Sequence, residues 1–299
     1  MKTGLVLEGG ALRGLFSVGI MDVLMEHGVE FDGIIGVSAG AAYGCNYKSR
    51  QPGRAIRYNT QYAKDWRFCS VRSLLKTGDI FGGEFDYHYL PEHLDIFDTK
   101  AFDENPMEFY AVCTDLETGQ PVYKKLMKCS YDCYEWIRAS ASMPLASKIV
   151  EIEGQKLLDG GITDSIPLKY FQSIGYQRNL VVTTQPDGYV KGKNKLLPLI
   201  RYSLRKYPHF IEAAANRHLM YNEQLAYLKE EEKKGMTFVI RPTEKLKIGH
   251  ISHKPEEMWE TYHIGRQIAE TRIEEILNFI SAWIRPWPQQ VHLLMPSRN

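Results

Sequence analysis

Three stretches of this chain set reactive side chains beside glycines. In Gly36-Val37-Ser38-Ala39-Gly40 a serine stands between two glycines; apolar Ile34-Ile35 leads in and small helix-forming residues lead out. A chain that leaves a strand, reverses and enters a helix within so few residues holds its central serine in a strained conformation, hydroxyl clear of the sheet edge. Gly36 and Gly40 have no Cβ, so strand and helix can approach closely. Ser38 is then a candidate nucleophile at the positive end of a helix. The same spacing also fits a plain glycine-rich strand-to-helix turn.

The second stretch is Gly9-Gly10-Ala11-Leu12-Arg13-Gly14, directly after the apolar Leu5-Val6-Leu7. Its glycines do not fit G-x-G-x-x-G, and no Gly-Lys-Ser/Thr follows, which excludes the dinucleotide and phosphate-loop readings. What remains is a tight turn or an oxyanion hole, a row of backbone N–H groups facing the oxygen of a tetrahedral intermediate. Arg13 either braces this loop or meets an anionic headgroup. In the third stretch, Asp159-Gly160-Gly161, a carboxylate closes an apolar run (Leu157-Leu158) with nothing bulky after it. It is read either as a presented carboxylate or as an Asp-Gly turn.

Other polar residues carry less. His88 and His93 flank Leu90-Pro91 and read as structural; Asp115 reads as a turn cap before Gly119. His250 and His253 have no acidic neighbours in sequence, so no metal site is expected. The five cysteines are odd in number and scattered, and Cys129 and Cys133 read as buried thiols.

The elements that must hold these stretches follow from apolar patterning. Gly4 to Glu8 and Phe31 to Val37 read as strands, with a helix from Leu15 to His27 between them and another after Ser38. This is a βαβα unit of parallel type. Strands are also expected at Met107–Cys113, Pro121–Lys125, Ile149–Ile152, Lys156–Leu158, Asn179–Thr184 and Thr237–Ile240. Helices are expected at Tyr131–Ala141, Leu196–Lys206, Pro208–Lys234 and, as one long amphipathic helix, Pro255–Ile284. The fold class is α/β: a three-layer α/β/α arrangement with a mainly parallel central sheet and a helical C-terminal part.

A formal net charge of +1 gives no reason to expect a nucleic-acid partner, and 44% hydrophobic residues suffice for a sizeable core. No apolar run nears the roughly 18 residues of a membrane span. Met1-Lys2-Thr3 leaves no room for a signal peptide before the first strand, so a cytoplasmic location is expected.

In their order, the three stretches resemble the patatin-like phospholipase family, as do Thr114-Asp115-Leu116 and Ala139-Ser140-Ala141-Ser142-Met143-Pro144. The resemblance covers about residues 4 to 185 and continues with weaker motifs into a helical part like that of bacterial members. It implies a serine lipid acyl hydrolase of phospholipase A or lysophospholipase type, with no cofactor and no metal. Ser38 is implied as nucleophile and Asp159 as its base, a dyad rather than a triad. Gly9, Gly10 and Ala11 are implied as the oxyanion hole, with Gly36, Gly40, Arg13, Gly14, Gly160 and Gly161 as elbow and support. Ala11 stands where the family often has a third glycine. Residues 1–185 are expected to form the catalytic core and 186–299 the helical remainder of the same domain, with 285–299 extended. A lipid or ester substrate is expected, with peripheral contact at the inner face of a membrane; the oligomeric state is not legible. An acyl groove with a cationic rim is expected within Leu196–Tyr227, and Trp283–Pro288 with Val291–Met295 is read as either an interfacial tail or a packed one. A general carboxylesterase or thioesterase with a histidine triad, and a non-catalytic binding module, are the alternatives.

Overall fold

A computed structural model describes residues 2–281. Strand β1 (Lys2–Leu7) runs through a 3-10 turn (Ala11–Gly14) into α1 (Leu15–Glu26), and β2 (Gly33–Val37) passes through Ser38 into α2 (Ala39–Lys48). Helices α3 (Arg54–Gln61) and α4 (Val71–Thr77), a π-helical segment (Phe85–Leu94) and α5 (Thr99–Glu104) form an excursion before β3 (Glu108–Asp115). Strand β4 (Pro121–Leu126) and α6 (Tyr131–Ser140) precede the hairpin of β5 (Val150–Ile152) and β6 (Gln155–Asp159). Then come α7 (Leu168–Ser173), β7 (Tyr176–Val182), α8 (Leu197–Ser203), α9 (Pro208–Lys233), β8 (Thr237–Ile240), α10 (Pro255–Thr271) and α11 (Ile273–Ser281).

The strands form one sheet of order β5-β6-β3-β2-β1-β7-β8, with β4 also on β3. From β3 to β8 every neighbour is parallel; β4, β5 and β6 are antiparallel. Buried parallel strands read as unbroken apolar runs, and β1 and β2 do so because both faces are covered. Alternation then divides the core: Leu5, Leu7 and Ile34 face a large apolar cluster with α1, α2, α6 and α10, while Val6, Ile35 and Val37 face a second one with α7 and α9. Three layers result, and β8, from the helical C-terminal part, is a strand of the same sheet.

Helix α10 docks on α1 at glycines. A Cβ at Gly19 would collide with the Tyr262 carbonyl, and one at Gly265 with the Phe16 carbonyl. The single helix expected from Pro255 is corrected: it breaks at Arg272. The Arg272 guanidinium donates to the Val239 carbonyl at 3.1 Å, which turns α11 across the sheet edge and sets Phe279 beside Phe238. Ile284, the Trp283–Pro288 stretch and the expected extended tail lie outside the described residues. Among the described residues no helix is long and apolar enough to cross a membrane.

Candidate active site

Strand register brings the three chemical stretches together. Leu7 pairs with Gly36, so the loop after β1 leaves the sheet beside the elbow after β2. Val37 pairs with Val112, and Cys113, the next residue of β3, pairs with Asp159. Ser38 and Asp159 therefore emerge two strands apart at the carboxyl ends of the parallel strands, where open α/β sheets hold their ligands.

Ser38 has φ 56° and ψ −123°, a left-handed conformation that costs a non-glycine residue about 1–3 kcal/mol. Its surroundings enforce it. A Cβ at Gly36 would strike Gly40, and one at Gly40 would strike the Leu7 carbonyl. The Ser38 amide donates to Ser140 Oγ at 2.9 Å, and that hydroxyl donates to the Val112 carbonyl at 2.6 Å. Ser140, at the end of α6, thus ties the elbow to β3 from 102 positions away in sequence.

Gly9 lies against the serine: a Cβ there would sit 2.8 Å from Ser38 Cβ. Thr184 Oγ1 donates to the Gly9 carbonyl at 3.0 Å, so in the trans peptide the Gly10 N–H points the opposite way. Arg13 N–H takes the Gly10 carbonyl at 3.1 Å, which turns the Ala11 N–H outward in the same manner. Among the described residues the N–H groups of Gly9, Gly10 and Ala11 donate to no protein acceptor. Ala11 has φ 49°, the backbone a glycine in this place would adopt freely. Buried Glu8 anchors the loop from below, accepting Tyr221 OH and Thr184 N–H, each at 2.6 Å.

Asp159 is held by its backbone, with N–H to Ser142 O at 2.8 Å and C=O from Thr114 Oγ1 at 2.9 Å. One carboxylate oxygen accepts the Gly161 N–H at 2.7 Å. Gly160 packs on the Val112 carbonyl with no room for a Cβ. Burial raises the Asp159 pKa above the ordinary aspartate value; the charge of Arg217, hydrogen bonding to Ser38 and the Gly161 amide pull the other way. Arg217 reaches in from α9 and donates Nε to the Gly161 carbonyl at 2.5 Å.

Two cavities meet here. One, of about 710 Å³, is bounded by Ser38, Asp159, the glycine loop, the 191–196 loop and α9. Arg13, Lys191, Lys193, Lys195 and Arg217 make it cationic. The other, of about 100 Å³, lies on the far side of Ser38, walled by Ala42, Tyr43, Tyr58, Phe81, Leu90 and Phe97 among others. Ala11, Ser38 and Met143 border both. A separate apolar recess comes from α2, α3 and the π-helical segment, whereas the wall from Lys191 to Arg217 sets Leu196 and Ile200 beside its cations. The sequence signal is weak from Arg50 to Phe102, and a recess is defined by side chains that stop short, which apolar spacing does not record.

His218 and His250 also line the cationic cavity, where sequence placed them in the helical half without a role. Neither hydrogen-bonds to Ser38 or Asp159. His88 is buried on Glu135 at 2.8 Å, and Asp115 caps its turn through Thr118 N–H at 2.8 Å, both as expected. Ser140 has no individual role in the sequence reading beyond the small-residue run 139–144, and Arg217 falls within the stretch expected to carry a cationic rim.

Fold and site define a class: an α/β protein with a strained serine elbow, a buried carboxylate and bare amides at the carboxyl edge of a parallel sheet. The profile of the patatin-like phospholipases matches residues 5–171, and a domain of unknown function, DUF6363, matches 207–281. The chain belongs to the patatin-like phospholipase family. Relatives include lysophospholipase nte1 of Aspergillus terreus, 31% identical over 181 residues (58% of this chain, 11% of that protein). Lysophospholipase NTE1 of Coccidioides immitis is 30% identical over 181 residues, with the same coverage. The uncharacterized protein YjjU of Escherichia coli is 28% identical over 201 residues (62% of this chain, 53% of that one). The chain thus spans only about a tenth of the fungal relatives (11%). Among solved structures, VipD from Legionella pneumophila aligns over 92% of this chain and 67% of its own, at 11% identity and a TM-score of 0.46.

Proposed function

We propose that the protein is a serine lipid acyl hydrolase that cleaves carboxylic esters through Ser38 and Asp159. The observation that carries this is one shared wall: a strained serine, a buried carboxylate and unpaired backbone N–H groups bordering a single cavity. Asp159 accepts the Ser38 proton as Oγ attacks the ester carbonyl. The Gly9, Gly10 and Ala11 amides, with the start of α2, stabilise the oxyanion. The C–O bond to the alcohol breaks, Asp159 returns the proton to the leaving oxygen, and the acyl group stays on Ser38. Asp159 then takes a proton from water, whose attack releases the fatty acid and restores the serine.

A free aspartate, with a pKa of about 3.9, is a weak base for this work. Burial raises the Asp159 pKa, which strengthens it. Hydrogen bonding between Ser38 and Asp159 sets the base against the hydroxyl it must deprotonate. The recess beyond Ser38 takes the acyl chain and the cationic cavity takes the alcohol part, an arrangement suited to a phospholipid or lysophospholipid. Residues 1–185 act as the catalytic core, and Lys191 to His250 of the remainder contribute one cavity wall within the same domain. The five free cysteines fit a reducing compartment such as the cytoplasm. Exposed Leu196, Leu199 and Tyr202 beside the cavity favour peripheral contact with a membrane.

The test is turnover of p-nitrophenyl butyrate and of a 1-acyl lysophospholipid. Ser38→Ala and Asp159→Asn should each lose at least about 10³-fold in kcat while keeping the wild-type circular dichroism. Full turnover in either variant rejects the assignment. A triad would recruit His218 or His250; retention of activity in His218→Gln and His250→Gln separates the dyad from it.

A further inference from the structure

The bond-making steps do not explain why so much positive charge surrounds the larger cavity. Arg13, Lys191 and Arg217 converge on it, and Lys193 and Lys195 stand at its mouth. The carboxylates on its wall are Glu8 and Asp159. Glu8 is occupied by Tyr221 and Thr184, and Asp159 by the Gly161 amide. No salt bridge neutralises Arg13, Lys191 or Arg217 among the described residues. The buried Nε of Arg13 has no hydrogen-bond partner. Lys191 Nζ stands over the Tyr221 ring at 4.5 Å, so that ring is taken by an ammonium from the protein itself. Burial lowers the Lys191 pKa to about 8, and the neighbouring Arg217 adds to this. His250, partly enclosed at the rim, is held below the ordinary histidine range by that enclosure and by Arg13, Lys191 and Arg217. Glu8 and Asp159 offset part of this charge from the cavity wall, but three cations against two carboxylates in a half-buried space leave a place for a further anion.

We infer that Arg13, Lys191 and Arg217 form a phosphate-binding subsite which makes the enzyme select anionic lysophospholipids over zwitterionic ones. This rests on the ester-hydrolase reading and names its substrate. A phosphate there receives charge-assisted hydrogen bonds on several oxygens. A choline ammonium would enter the same positive field with no free carboxylate and with the Tyr221 face already occupied. Lys191 is the residue to change. Its backbone is pinned to Asn222 at both ends (N–H to Oδ1 2.8 Å, Nδ2 to the carbonyl 3.1 Å), so the loop keeps its place without the ammonium.

The experiment compares wild type, Lys191→Met and Lys191→Arg on 1-acyl lysophosphatidylglycerol, 1-acyl lysophosphatidylcholine and neutral p-nitrophenyl butyrate. Thermal stabilisation by inorganic phosphate is measured alongside. Wild type should prefer the anionic lipid about tenfold in kcat/KM, through KM. Lys191→Met should erase that preference, because it removes the charge that repels choline and frees the Tyr221 face, and Lys191→Arg should keep it. Phosphate should stabilise wild type and Lys191→Arg but not Lys191→Met. If phosphate stabilises but the lipid ratio is unaffected by Lys191→Met, the site holds free phosphate rather than a headgroup and the inference fails. Equal turnover of the two lipids by wild type also overturns it. If no ester is hydrolysed, the hydrolase reading fails, and this assignment of lipid selectivity fails with it. The phosphate arm then reports the anion site by itself.

Discussion

Replacing Ser140 by alanine tests whether the elbow is held from outside its own motif. The Ser140 hydroxyl accepts the Ser38 amide at 2.9 Å and donates to the Val112 carbonyl at 2.6 Å, and the residue is fully buried. Alanine orphans both groups where water does not reach them. The buried amide costs about 1–3 kcal/mol and the carbonyl about 1 kcal/mol, together about 2–4 kcal/mol. In a chain of 299 residues that lowers Tm by roughly 3–6 °C. Ser38 loses the tie that offsets its left-handed backbone, and a shift of about 1 Å at a nucleophile is worth about 10²-fold in rate. Differential scanning calorimetry and esterase kinetics on Ser140→Ala are the assays. Ser142→Ala is the control, since its hydroxyl caps only Arg138 O, at 2.8 Å, within the same segment. A Ser140→Ala variant within 1 °C and twofold of wild type (roughly the scale of a neutral surface change) would refute the reasoning.

Two further outcomes follow from the same geometry. Burial raises the Asp159 pKa, so the acid limb of kcat/KM on a neutral ester should fall above the aspartate value of about 3.9. A carboxyl with a raised folded-state pKa favours folding only when protonated, so its penalty is absent below the unfolded value and grows as pH rises through the folded one. Asp159→Asn should therefore be more heat-stable than wild type at pH 7 and equal to it in acid; equal melting at both pH values would contradict this. Ala42 lines the recess, and Ala42→Phe should shorten the preferred acyl chain. Excluding three methylenes at about 0.8 kcal/mol each lowers the long-to-short kcat/KM ratio about 50-fold; an unchanged profile over p-nitrophenyl esters would place the chain elsewhere.

Much of this site was legible because its parts are local. Gly36-Val37-Ser38-Ala39-Gly40 needs only five residues to state a turn, and the elbow's glycines meet atoms of their own strand, helix and neighbouring strand. Asp159 closes a readable apolar strand, although only the register of β6 on β3 brings it to Ser38. The parallel order of β3, β2, β1, β7 and β8 follows from strands that alternate with helices. What escaped depends on distance or on missing volume. Arg217 lies mid-way along α9, in a stretch whose basic residues suggest a cationic rim without saying which one, and it becomes a site residue only because that helix crosses the carboxyl edge. The recess beyond Ser38 has no sequence signal of its own, since Tyr43, Tyr58 and Leu90 have the spacing of core residues whether or not space remains between them. The break at Arg272 has no proline or glycine to announce it and comes from a side chain reaching back to β8.

Whether Ser38 is the atom that receives the acyl group is most directly read by mass. Intact protein is treated with a fluorophosphonate ester, digested and mapped, with Ser38→Ala and Asp159→Asn alongside. One adduct on the peptide carrying Ser38, slowed in Asp159→Asn and absent from Ser38→Ala, is the expected result. An adduct on any other residue, or equal labelling of Ser38→Ala, contradicts the account.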